Sequence, residues 1–156
     1  MREIESDTRL CEERRMPTTA RTEQEEIHHR YVDEIFNGRE YDVYDELTTD
    51  EYVQHMGEVS RNLKEVKGFL AAIHKAFPDV EATVEHLISD GDFVCSLHRY
   101  RGTHDGPFMG IEPTGTEVAI RSLSLSRFEN GKLAETWVIP DLFGLMQQVG
   151  AIPDAE

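Results

Sequence analysis

At Pro78 the hydrophobic period of the chain changes, and that change narrows the folds open to it. Before Pro78, Leu63, Val66, Phe69, Leu70, Ile73 and Phe77 recur three and four residues apart, the stripe of an amphipathic helix. Asn62 and Glu65 stand ahead of the stripe at capping-box spacing. Pro78 closes it, since proline has no N–H for a helical ladder and clashes with the preceding turn. After Pro78 the period falls to two. Val80, Ala82, Val84, His86 and Ile88 alternate with Glu81, Thr83, Glu85, Leu87 and Ser89, the pattern of a strand with two unlike faces. Asp90-Gly91-Asp92 reads as a hairpin turn and Phe93–Thr103 as the returning strand. A third strand is expected over 117–128, a turn at Glu129-Asn130-Gly131, and a last strand over Lys132–Ile139. Pro140 ends that strand, and "LFGLMQQVG" forms a short helix stopping at Gly150.

The N-terminal half adds helices. Thr22 and Glu25 repeat the capping-box spacing, and Ile27, Tyr31, Val32, Ile35 and Phe36 fall on one helical face before Gly38. A short helix is expected over Asp42–Leu47, then an extended piece with Tyr52, Val53 and His55. Helices followed by an antiparallel meander define an α+β domain, with helices on one face of a curved sheet and a pocket between the layers. Residues 1–21 are polar and without periodicity; they are expected to form a mobile tail, with the folded domain over 22–152. Met16 is an alternative start, which would make 1–15 an upstream extension.

Charge excludes one large class of partner. Asp and Glu total 31 against 16 Lys and Arg, a formal net charge of -15, so phosphate backbones would be repelled and nucleic acid is not an expected ligand. Lysine occurs only at positions 64, 67, 75 and 132. Scarce lysine with abundant acid fits a halophilic protein, whose carboxylates stay hydrated while concentrated salt screens their repulsion. No apolar run approaches the ~20 residues of a membrane helix, and the N-terminus lacks the apolar core of a secretory signal. Cys11 and Cys95 lie far apart, so reduced thiols and a cytoplasmic location are expected.

"LISDGDFVCSLHRYRGTHDGPFMGIEPTGTEV" and "RFENGKLAETWVIPDLFGLMQQVGAI" together resemble the SnoaL-like polyketide cyclase, or ester cyclase, family, within the fold class of nuclear transport factor 2. The match rests on Gly91-Asp92, Gly102-Thr103-His104 with Gly106, Pro113-Thr114-Gly115, Asn130-Gly131-Lys132, Glu135, Trp137, Asp141 and Gln147-Gln148-Val149-Gly150. The resemblance implies a cone-shaped α+β barrel: a curved, mostly antiparallel sheet covered by about three N-terminal helices, with a short C-terminal helix. It also implies a deep apolar cavity, a homodimer or larger assembly, and an intramolecular aldol condensation without metal or organic cofactor. In such cyclases an aspartate at the position of Asp141 is the general acid/base, and a histidine in the preceding strand assists. Here the strand reads "VAIRSLSLSRF", with Ser122, Ser124 and Ser126 and no histidine.

Seven residues are candidates for the site. Asp141 precedes an apolar helix, where it can cap the helix or stand in the cavity with its pKa raised by apolar surroundings; the two roles are compatible. His104 sits in a loop made stiff by Gly102, Gly106, Pro107 and Pro113, where it either braces the backbone or meets the ligand. Strand alternation places Glu135 and Trp137 on one face with Leu133 and Ile139, Trp137 as a cavity wall and Glu135 as either a surface acid or a second buried carboxylate. His55 is either a satisfied core or surface histidine or a polar group that binds a substrate oxygen in the cavity; with it, Tyr100 as a hydroxyl donor and Phe108 complete the expected substrate contacts. His28, His29, His74 and His86 are expected on element surfaces without a role. No paired-cysteine or histidine motif points to a metal, and Cys95 reads as core. Two functions follow: an acid/base enzyme acting on a small apolar carbonyl compound, or a carrier that binds such a molecule without chemistry. A purely structural domain with a filled cavity is a third. The halophilic expectation is checked by melting in rising KCl: the midpoint should climb with salt, and a falling midpoint contradicts it.

Overall fold

The structure, a computed structural model, describes residues 21–153. The expected tail lies outside the described residues except for Arg21, and so does Cys11. Helix α1 (Glu23–Arg30) starts at Thr22, whose hydroxyl accepts from the Glu25 N–H while the Glu25 carboxylate accepts from the Thr22 N–H. The helix continues as a π-helical segment, Tyr31–Asn37, which buries Val32, Ile35 and Phe36 and ends at Gly38. Helix α2 (Val43–Leu47) leads into β1 (Thr48–Met56) and β2 (Val59–Asn62). Strand β2 is absent from the sequence reading: Val-Ser-Arg-Asn is too short and too polar for alternation to register. Asn62 then caps α3 (Leu63–Ala76) through the capping box with Glu65. Strands β3 (Glu81–Asp90), β4 (Phe93–Thr103), β5 (Glu117–Glu129) and β6 (Lys132–Pro140) precede the terminal helix α4 (Leu142–Gln148).

The six strands form one sheet in the order β2-β1-β6-β5-β4-β3. Strands β3 to β6 are the expected antiparallel meander. The exception is β1, which runs parallel to β6 and sets Val53, Gln54 and His55 against Glu135, Thr136 and Trp137. Parallel neighbours need a long crossover, and here α3 and the meander supply it. The helices pack on one face, where Ile35, Phe36, Val66, Leu70, Val94 and Phe128 form the centre of the core. The end of the π segment is tied to the sheet by polar contacts. Asn37 exchanges two hydrogen bonds with the Ala82 backbone, and the Arg39 guanidinium donates to the carbonyls of Phe36, Asn37, Pro78 and Val80.

Two bulges alter the faces read from simple alternation. In β3 the register with β4 shifts between Val84 and His86, leaving Glu85 as the extra residue. Beyond it Leu87 is half-buried while His86 and Ile88 are exposed. In β6 the register with β5 shifts between Arg127 and Phe128, which leaves Ala134 unpaired. Leu133 therefore does not share a face with Glu135, Trp137 and Ile139. One extra residue in a strand inverts the orientation of all that follow.

Candidate active site

Between the helices and the inner sheet face lies a cavity of about 150 Å³. Its walls are mostly apolar, with Phe36, Leu70, Ile73, Phe77, Phe128 and Leu145 among them. The sheet side is polar, because β5 turns Ser122, Ser124 and Ser126 inward and leaves Leu123 and Leu125 exposed on the outer face. Ser124 shares a 2.8 Å hydrogen bond with Ser96 of β4, and Ser126 lies 3.4 Å from the Thr136 hydroxyl of β6. Tyr31 and Tyr44 from the helices and Tyr52, Gln54 and Tyr100 from the strands also reach the cavity. Burial raises the pKa of Tyr31 to about 12 and moves those of Tyr44, Tyr52 and Tyr100 upward, so all four remain neutral hydroxyls.

The least expected feature is a pair of histidines. His28 of α1 and His98 of β4 are 4% and 1% exposed, and their Nε2 atoms share a 2.9 Å hydrogen bond. Their ring centroids lie 5.0 Å apart with planes 20° apart, so the rings meet edge to edge and nearly coplanar, as the shared proton requires. Burial, and for His28 also the charge that His98 would carry, lowers the pKa values to about 3 and about 4. Both imidazoles are thus neutral near pH 7. His98 pairs in register with Ser122, one strand over from where the family resemblance looks for a histidine. Four buried polar atoms on residues that line this cavity have no hydrogen-bond partner among the described residues: Tyr44 Oη, Gln54 Oε1, His98 Nδ1 and Ser122 Oγ.

The structure brings only two of the seven candidates, Tyr100 and Phe108, to the cavity wall. Asp141 is exposed; its carboxylate accepts the Gly144 N–H at 2.8 Å and caps α4, although its neighbours Pro140 and Leu142 line the cavity. His104 is fully buried in the loop, stacked on Phe77 at 5.3 Å, with Nδ1 3.0 Å from the Thr114 hydroxyl. That loop docks on the end of α3, where the Ala76 carbonyl accepts from the N–H groups of Asp105 and Gly106. A Cβ at Gly106 would overlap the Lys75 carbonyl oxygen, so only glycine allows this approach.

His55, Glu135 and Trp137 are corrections: all three lie on the outer face of the sheet. His55 Nε2 is 2.7 Å from a Glu135 oxygen, its Nδ1 is 2.8 Å from Ser60 Oγ, and its ring stacks on Trp137. The Ala134 bulge and the β1–β6 register put them there. His28 and His74 are corrections in the other sense, since both are buried. His74 packs against Phe36 and bonds the Tyr41 hydroxyl, and burial lowers its pKa to about 4. A signal for His28 was present: it stands four and seven residues before Val32 and Ile35, on the buried face of its helix. Among the described residues no group of three or more His, Cys, Asp or Glu could hold a metal ion, and no helix is long and apolar enough to cross a membrane.

The sequence profile of the SnoaL-like polyketide cyclase family matches residues 26–149, and the chain belongs to that family. Among solved structures, a proposed SnoaL-like polyketide cyclase from Jannaschia sp. CCS1 is 26% identical, covers 86% of this chain and 99% of its own, and superposes with a TM-score of 0.79. IdmH, a proposed polyketide cyclase from Streptomyces antibioticus, is 27% identical over 83% of this chain and 99% of its own, with a TM-score of 0.73. TsrD from Streptomyces laurentii, 22% identical over 86% and 99% with a TM-score of 0.77, shares the fold. A comparison with curated protein sequences gives no match.

The buried histidines make stability depend on pH with a definite sign. Their folded pKa values lie below the ordinary 6.5, so the unfolded chain takes up protons first on acidification. Stability is therefore lost as pH falls from about 6.5 towards 4, with a limiting slope of about 1.4 kcal/mol per pH unit for each proton. Urea unfolding across this window should show the loss, and His98→Leu should flatten it; an unchanged slope in the variant contradicts the assignment.

Proposed function

We propose that the protein binds a small, mostly apolar carbonyl compound in this cavity and converts it by acid/base chemistry without a cofactor. The observation that carries this reading is the set of four unpaired polar atoms on residues that line a mostly apolar chamber. A buried polar atom left without a partner costs roughly 1–3 kcal/mol, and a ligand bearing oxygen removes that cost. Membership of the SnoaL-like family supports the reaction class: loss of a proton beside a carbonyl, then attack of the enolate within the same molecule. Neutral hydroxyl and imidazole donors in a dry site suit the oxyanion that forms. In this reading Asp141 is the base, which requires its carboxylate to leave the α4 cap and turn towards Pro140 and Leu142.

The outward position of Asp141 favours a second reading, a carrier with the same ligand and no chemistry. In both, the molecule is a homodimer joined through the outer sheet face, where Ile88, Phe93, Leu123, Leu125 and Ile139 are exposed.

Native mass spectrometry of protein taken directly from cells tests the binding and the assembly together. A dimer mass carrying one small molecule per chain is expected; a bare monomer contradicts both statements. Supplied with the released compound, the wild type should form product and Asp141→Asn should lose most of that turnover. Equal rates in the two proteins exclude Asp141 as the base, and absence of turnover in the wild type selects the carrier.

A further inference from the structure

The histidine pair and its neighbour on β5 specify where the ligand's oxygen sits. A 2.9 Å contact between two Nε2 atoms holds one proton, so one ring donates and the other accepts. In neutral imidazoles the accepting ring must carry its own proton on Nδ1. When His28 donates, His98 is the Nδ1–H form, and its free N–H is the buried, unpartnered atom of a residue that lines the cavity. Ser122, the residue paired with His98 across the β4–β5 ladder, also lines the cavity and carries a second buried, unpartnered hydroxyl. The next inward rung is different: Ser96 and Ser124 already share a hydrogen bond with each other.

We propose that His98 Nδ1–H and the Ser122 hydroxyl form a two-donor cradle for one carbonyl oxygen of the ligand, with His28 as the positioning residue that fixes the tautomer of His98. The proposal rests on the reading that the cavity holds a carbonyl compound. Two donors from adjacent strands in a mostly apolar pocket polarise a carbonyl and hold an enolate oxygen more strongly than either would in water. Because both imidazoles resist protonation, the cradle recognises a neutral carbonyl without first acquiring charge. The proton shared with His28 matters because a His98 that donated to His28 would face the ligand with a lone pair and repel the oxygen.

The test uses two probes of matched shape on the intact chain: acetophenone, which carries a carbonyl, and ethylbenzene, which carries no oxygen. Corrected for their partition between water and hexane, acetophenone should bind about tenfold more tightly, the value of one well-made hydrogen bond in a buried site. The stretching band of its ¹³C-labelled carbonyl should lie below its position in hexane. Ser122→Ala and His98→Leu should remove most of that preference, return the band towards the hexane value and leave ethylbenzene binding within about twofold. Ser122→Ala suffices should His98→Leu fail to fold. His28→Phe should act like His98→Leu on the band, and His28→Gln should rescue it, since an amide N–H can donate to His98 Nε2; a purely packing role for His28 would not produce this split. Nitrogen-15 shifts should identify His98 as the Nδ1–H tautomer in the acetophenone complex. Equal corrected affinities with the band at its hexane position overturn the cradle while leaving the cavity reading intact, and so does an Nε2–H tautomer at His98 in the complex. Failure of both probes to bind removes the cavity reading and the cradle with it.

Discussion

The site depends on which face of β5 looks inward. Ser122, Ser124 and Ser126 are too short to reach the helices, so the space above them stays open, whereas Leu123 and Leu125 on the other face would close it. Protein interiors are otherwise packed to the density of organic crystals, and an open volume among large side chains has to be held open by its frame. The register does this. Ser122, Ser124 and Ser126 pair with Pro140, Val138 and Thr136 on one side, and Ser122 and Ser124 pair with His98 and Ser96 on the other. A slip of one residue would exchange serines for leucines and turn the chamber into an ordinary core.

The frame explains why residues of similar chemistry have such different surroundings. His104 and His98 are both buried, but His104 is enclosed by Phe77 and its own loop, while His98 belongs to the lining of the cavity. The loop of His104 serves the cavity indirectly: by binding the last turn of α3 it holds Phe77 and Phe108 in the wall. On the outer face, Glu85 accepts from Arg99 and Arg121 at 2.7 Å each, and those cations hold its pKa down to about 2. Acid and base on that face neutralise one another; on the inner face neutral donors are left for a guest.

Much of the architecture was legible from local patterns. The Thr22–Glu25 and Asn62–Glu65 caps, the stripe ending at Phe77, and the turns at Gly91 and Gly131 each depend on a few adjacent residues, and a sequence displays those directly. The site was less legible because it is assembled from distant contacts. Alternation in "RSLSLSRF" reveals two faces but not which is inner, since that is decided by β4 and β6. Bulges at Glu85 and Ala134 leave no mark in composition, and they reversed the alternation expected for Leu87 and Ile88 and separated Leu133 from Trp137. The parallel seating of β1 beside β6 fixes His55 next to Trp137, on the face of the sheet away from the cavity. His28 and His98, seventy positions apart, meet only once the helix lies across the sheet.

A high-resolution crystal structure of the protein isolated directly from cells, without added ligand, tests the central claim most directly. The account predicts an open chamber above the three serines, with density for a small molecule within hydrogen-bonding distance of Ser122 Oγ and His98 Nδ1. Leu123 and Leu125 turned inward, or helices collapsed onto β5 so that Tyr44 and Ser122 pair with protein atoms, would contradict it.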